Sequence, residues 1–208
     1  MTHPLNIIEV PALIPNKVVK KVVFAESGLS VERPLSLDTD LFIPCEDIAG
    51  FRFGVKDMSI FNVTFCRRYF IEIRNYQNKI YRIKLNSYYG LKRETYYRIW
   101  AESLDQFWDY YMESQLNFYT ELLNLRQTFE LSGVTFHSDG ISWDEDNKLK
   151  WKDIAISSYQ THFVVHHIDD LTQTKCCVFS IHWNAVVLQT LLKDIIKQPI
   201  SARKSSWL

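Results

Sequence analysis

The chain has 208 residues, 47% of them hydrophobic and 14% aromatic. That is enough apolar surface for one large domain or two of about 100 residues. Lys+Arg and Asp+Glu both total 24, so there is no global positive charge to favour nucleic acid. No run approaches the roughly eighteen apolar residues of a membrane-spanning helix.

In chain order, residues 1–16 carry Pro4, Pro11 and Pro15 and predict an irregular arm. The arm lacks the charged start, apolar core and small-residue cleavage site of a secretory signal. Val18 to Phe24 reads as a strand, Glu26-Ser27-Gly28 as a turn and Leu29 to Val31 as a second strand. Pro34 to Asp40 reads as a loop. Ile43 to Phe53 is a β segment interrupted at Pro44 and Gly50, followed by strands at Ile60–Phe65 and Tyr69–Arg74. A turn at Asn75–Lys79 leads into Ile80–Leu85. Alternation puts Tyr69, Ile71, Ile73, Tyr81, Ile83 and Leu85 on one face, with Arg68, Phe70, Glu72, Arg74, Arg82 and Lys84 on the other.

From Glu94 to Asn124 there is no Gly or Pro, and polar residues recur at helical spacing. The apolar stripe opposite them includes Tyr97, Trp100, Leu104, Phe107, Tyr111, Phe118 and Leu122, widened by Trp108, Met112, Tyr119 and Leu123. An unbroken helix of that length spans roughly 46 Å, so the spacing predicts an overhang or a break near Ser114–Asn117. A stripe this wide needs two surfaces. The expected interface residues are Trp108, Tyr111, Met112, Phe118, Tyr119 and Leu122, with the second half of the chain covering Phe118–Leu123.

Beyond Leu125 the same order begins again. Val22-Val23-Phe24-Ala25-Glu26-Ser27-Gly28-Leu29-Ser30-Val31 aligns without a gap on Val134-Thr135-Phe136-His137-Ser138-Asp139-Gly140-Ile141-Ser142-Trp143. The repeated glycine suits a tight hairpin turn with positive φ. Asp47-Ile48-Ala49 recurs as Asp153-Ile154-Ala155. Strands at Phe163–Ile168 and Cys177–Ile181 follow. A helix from Ala185 to Lys197 has Asn184 as N-cap and Pro199 as its stop. Phase is open on the first of these strands: matching the first copy turns His162, Val164 and His166 inward, whereas hydrophobicity favours Phe163 and Val165.

This order resembles the pleckstrin-homology-like superfold in its bacterial and GRAM-like forms. The resemblance rests on the repeat and on the single helix ending each copy. It implies an α+β, mainly β protein with two tandem units, each a strongly bent antiparallel sheet capped by a C-terminal helix. They would be joined through the long amphipathic helix. The expected divisions are an arm at 1–16, a first domain at 17–124, a second at 125–198 and a loose tail at 199–208. The resemblance also implies a non-enzymatic interaction module that binds protein or peptide and needs no cofactor. Phosphoinositide-binding members carry a basic cluster around the first hairpin. Here Glu26 and Asp139 make those turns acidic, which opposes an anionic headgroup.

For chemistry there is no Gly-x-Ser-x-Gly, no GxGxxG and no GxxxxGK. His162, His166, His167, Cys176, Cys177 and His182 are suitable metal-ligand types, but strand spacing splits them between faces, so ordinary strand contacts are the expected role. Asp144-Glu145-Asp146 reads as a hairpin loop without the spacing of a calcium site. The cysteines Cys45, Cys66, Cys176 and Cys177 show no paired framework, which points to a reducing cytoplasm.

Charge is unevenly spread: residues 52–98 hold eleven Lys/Arg against three Asp/Glu. Lys20, Lys21, Arg67, Arg68, Arg74 and Arg82 therefore form the candidate interaction patch for an acidic partner. Attachment to an anionic membrane through Lys20, Lys21, Arg67 and Arg68 is the alternative. A small-ligand cavity inside one curved sheet is another. The bland counterpart is a solvated sheet face balanced by cross-strand pairs such as Glu72 with Arg82.

Overall fold

The computed structural model describes residues 5–13, 17–32, 40–144 and 147–197. The chain divides into two compact units, Met1–Glu113 and Ser114–Leu208. The expected loop at 34–40 lies, up to residue 39, outside the described residues, as does the tail at 199–208.

The first unit opens with β1 (Asn6–Pro11), β2 (Val18–Ala25), β3 (Gly28–Glu32) and β4 (Leu41–Pro44), an antiparallel sheet in chain order. The proline-bearing arm is thus a strand over 6–11, a correction to the irregular segment expected there. Ile8 and Val10 alternate inward and are buried, and Ile8 lies opposite Val22. Pro11 sits at the strand end, where the register shifts and a missing N–H does no harm.

A 3-10 turn, Cys45–Asp47, leads to β5 (Ile48–Ile60), β6 (Val63–Asn75) and β7 (Ile80–Tyr88). β5 and β6 each run 13 residues. The segment expected as a separate strand at 60–65 is the tip of their hairpin, turned by Phe61 and Asn62, both at positive φ. Val22, Phe24, Leu29 and Ile43 from the first sheet are buried with Phe51, Tyr69, Ile71 and Ile73 from the second.

Helical backbone then runs through α1 (Arg93–Phe107), a π-turn at Trp108–Met112 and α2 (Glu113–Asn124). The irregularity falls a turn earlier than the expected break at 114–117. In α1 the buried stripe is Tyr96, Ile99, Ser103 and Phe107, one residue out of phase with the Tyr97, Trp100 and Leu104 stripe expected. Ser103 can lie inside because its hydroxyl donates to the Ile99 carbonyl, 2.7 Å away. Tyr96 donates to the Pro11 carbonyl at 3.0 Å. A π-turn inserts an extra residue and rotates the stripe, which brings the consecutive residues Tyr111 and Met112 inward together.

The second unit repeats the wiring. β8 (Phe129–Leu131), β9 (Val134–His137), β10 (Gly140–Ser142) and β11 (Lys148–Lys150) form one sheet. A 3-10 turn at Trp151–Asp153 follows. β12 (Ile154–Ser158), β13 (His162–His167) and β14 (Thr174–Val178) form a second sheet, and α3 (Ala185–Lys197) closes the unit. Equivalent positions bury equivalent side chains: Val134, Phe136, Ile141, Leu149 and Ile154 stand for Val22, Phe24, Leu29, Ile43 and Ile48. Phe163 and Val165 point inward, so hydrophobicity settles the strand phase. In both units the residue before the closing helix is left-handed, Lys92 at φ +54° and Asn184 at φ +59°.

The two repeated glycines share a different reason from the one expected. Gly28 has φ +148°, but Gly140 is not in the left-handed region. A Cβ on Gly28 would lie 2.3 Å from the Ile43 carbonyl oxygen, and one on Gly140 1.9 Å from that of Leu149. In each copy the neighbouring strand crosses against the glycine, and the residue after that strand donates to the turn: Cys45 N–H to Ser27 at 3.1 Å, Trp151 N–H to Asp139 at 3.2 Å.

Candidate interaction face

The sheet β5-β6-β7 fixes the faces of the basic segment, because cross-strand partners share a face. Rows Phe51–Ile73–Tyr81, Phe53–Ile71–Ile83 and Val55–Tyr69–Leu85 carry the core side. The opposite rows are Arg52–Glu72–Arg82, Gly54–Phe70–Lys84 and Lys56–Arg68–Asn86, with Arg74 beside Ile80 beyond them. One sheet face thus gathers Arg52, Lys56, Arg68, Arg74, Arg82 and Lys84 around the carboxylate of Glu72.

Glu72 organises the middle of that face. It accepts from Arg52 Nε at 2.8 Å and from Arg82 Nε at 2.6 Å. Burial pushes its carboxyl up, but the hydrogen bonds and charges of the two guanidinium groups outweigh this and hold it below its ordinary value. A few strand positions nearer the hairpin tip the balance changes. Lys56 lies directly opposite Arg68, and Arg68 Nε donates to the amide oxygen of Asn86 at 2.9 Å rather than to a carboxylate. Like charges directly across a ladder are destabilising, so this row has an electrostatic cost within the fold.

The remaining patch residues separate. Arg67, next to Arg68 in sequence, belongs to the other face and forms a two-pronged pair with Asp57, its Nε 2.6 Å from Oδ1. The Arg67 hydrogen bond holds the Asp57 carboxyl below its usual range. Lys21 pairs with Glu9 at 3.2 Å. Lys20 Nζ donates to the Lys84 carbonyl at 3.2 Å, which brings it to the β7 strand of the basic face. So Arg68, Arg74 and Arg82 share one sheet face, Lys20 reaches the β7 backbone without being placed among them, and Lys21 and Arg67 are paired elsewhere. Arg52 and Lys56 join the face although they were not singled out. Their every-other-residue spacing with Gly54 was a usable signal, hidden because the strand was expected to end at Phe53.

Of the expected helix interface, Tyr111 and Met112 are buried and Trp108 is half-buried. Tyr111 donates to the Ala25 carbonyl at 3.2 Å, and burial pushes its hydroxyl pKa up. Phe118, expected to be covered, is 55% exposed. Tyr119 packs on Phe129 with ring centroids 5.3 Å apart, Leu122 is half-buried and Leu123 is buried. Past the π-turn the inward phase falls on Tyr119 and Leu123, which turns Phe118 out.

The suspected metal-ligand residues have local partners. His166 Nε2 meets Ser157 Oγ at 3.1 Å, His167 Nδ1 accepts from Asp169 N–H at 3.0 Å, and His182 Nδ1 accepts from Val178 N–H at 2.9 Å. Among the described residues no group of His, Cys, Asp or Glu is placed to hold a metal ion. All the cysteines are free. Cys177 is buried, which pushes its thiol up to about 11, whereas its neighbour Cys176 is exposed. A cleft of about 180 Å³ is lined by Thr64, Cys66, Arg67, Ser87 and Arg93, smaller than the roughly 300 Å³ at which small-molecule sites begin. Among the described residues no helix is long and apolar enough to cross a membrane.

No protein-family model matches the chain, and a sequence search of curated proteins finds no match.

Proposed function

We propose that the chain is a tandem pleckstrin-homology-like interaction protein of the bacterial cytoplasm, without chemistry of its own. Its first unit would hold an acidic protein or peptide segment against the β5-β6-β7 face. Support for the tandem reading comes from the order found in both units: a four-stranded meander, a 3-10 link, a three-stranded meander and a helix. The observation that carries the binding reading is the row Lys56–Arg68–Asn86. Two cations facing each other without a carboxylate between them cost stability, and an incoming carboxylate would relieve that.

A membrane contact through Lys20, Lys21, Arg67 and Arg68 together has weaker support, because Lys21 and Arg67 are held by Glu9 and Asp57. The size of the cleft likewise gives a small-ligand carrier little support.

The test is fluorescence anisotropy with a labelled oligoglutamate peptide. Binding should weaken with salt and fall about tenfold or more in a Lys56→Glu, Arg68→Glu, Lys84→Glu variant. Lys150→Glu with Lys152→Glu, in the second unit, should leave it unchanged. No binding, or equal loss in both variants, would refute the reading.

A further inference from the structure

The tip of the β5–β6 hairpin is built against the preferences of a soluble turn. Ile60 pairs with Val63, so the turn has two central residues, Phe61 at φ +47° and Asn62 at φ +63°. Such a turn favours Asn, Asp or Gly at both places, and a bulky aromatic at positive φ is an outlier. Phe61 is also 96% exposed, with Ile60 at 59% and Val63 at 66%. Neither conformation nor packing among the described residues accounts for this side chain.

Polarity is graded behind the tip. The next pair is Ser59 with Thr64, whose hydroxyls meet at 3.1 Å. Met58 opposite Cys66 and Asp57 opposite Arg67 come next, and then Lys56 opposite Arg68. At about 3.3 Å per residue, Lys56 stands roughly 13 Å back from Ile60. Asp57, the nearby acid, is already neutralised by Arg67. An apolar end, a hydroxyl collar and a cationic belt match the depth profile of an anionic bilayer surface. There apolar groups enter about 5–10 Å and cations stay at the phosphates. A protein groove would require apolar residues on one strand face, whereas here they occupy the turn and both strand ends.

We propose that this hairpin inserts its tip, led by Phe61, into the interface of an anionic lipid bilayer. The proposal shares Lys56 and Arg68 with the peptide reading but is carried by the apolar tip, which that reading does not use.

The test is co-sedimentation of the full chain with phosphatidylcholine vesicles, with and without phosphatidylserine. Wild type should bind the phosphatidylserine vesicles in a salt-sensitive way. Phe61→Asn should lower that binding about tenfold or more, the contribution of a phenyl group leaving an apolar phase. Its melting temperature should hold or rise, because Asn tolerates the left-handed turn, and its oligoglutamate binding should not change. Phe61→Trp should retain binding, with emission quenched by brominated lipid beyond the wild-type background. No vesicle binding by wild type, full binding by Phe61→Asn, or Phe61→Trp that binds without the added quenching would overturn the proposal.

Discussion

The hairpin β5–β6 and its counterpart β12–β13 begin alike and end differently. Ile48 and Ile154 enter from matching 3-10 turns and are both buried, and the pair Phe53–Ile71 corresponds to Ser158–Phe163. There the second copy turns, with Tyr159 N–H donating to His162 at 2.9 Å and its ring stacked on the imidazole. The first copy continues from Gly54–Phe70 to Ile60–Val63 and carries the unbalanced cations and the apolar tip on that extension. The core positions needed to close a unit are shared, and the unshared length is where unexplained charge and exposed apolar surface concentrate. The positions that close a unit and those proposed to bind a partner are therefore different residues, and mutations should sort accordingly.

The largest effects should come from the shared core. Phe24→Ala and Phe136→Ala each remove a fully buried ring and should cost about 3–5 kcal/mol, read by urea unfolding. If only one of them is costly, the equivalence of the copies fails. Next are Gly28→Ala and Gly140→Ala, which drive a methyl group into a carbonyl of the crossing strand and should cost about 1–3 kcal/mol. Gly90→Ala makes a contrast, since nothing lies within 4 Å of its would-be Cβ and only its left-handed φ is at stake.

Glu72→Gln should cost about 1.5 kcal/mol by weakening two charge-assisted hydrogen bonds, and it sharpens the comparison through pH. The folded carboxyl lies below its ordinary value of 4.5, so its contribution is present above that value and lost as pH falls through the folded one. Acid unfolding of wild type should therefore be steeper below about pH 4.5 than that of Glu72→Gln. Smallest should be Phe118→Ala, within about 0.5 kcal/mol for an exposed ring, against about 2 kcal/mol or more for buried Leu123→Ala.

Legibility in the sequence followed the same division. The segments Val22–Val31 and Val134–Trp143 were readable because they align without a gap, and the second alternates apolar and polar residues as a hairpin with one face inward does. The first sheet's opening strand was not, since Pro11 and its neighbouring prolines mask the alternation of Ile8 and Val10. Helix phase was missed in α1 because Ser103 and Tyr96 hide their polar groups through hydrogen bonds that no hydropathy pattern encodes. The π-turn then moved the stripe again, turning Phe118 out. On the candidate face, alternation placed Arg68, Glu72, Arg74, Arg82 and Lys84 together. Arg67 was grouped with them by adjacency, although consecutive strand residues point to opposite faces. The tip escaped notice because an apolar Ile60-Phe61 followed by Val63 resembles strand interior, and only its positive φ values and exposure set it apart.

Where an acidic segment lands on the chain tests the central reading most directly. Backbone amide shifts followed by NMR during titration with oligoglutamate should move most along Arg52–Lys56, Arg68–Arg74 and Ile80–Asn86, and should be suppressed by salt. Shifts centred on the Glu26–Gly28 turn, on the second unit, or spread evenly over surface lysines would contradict the account.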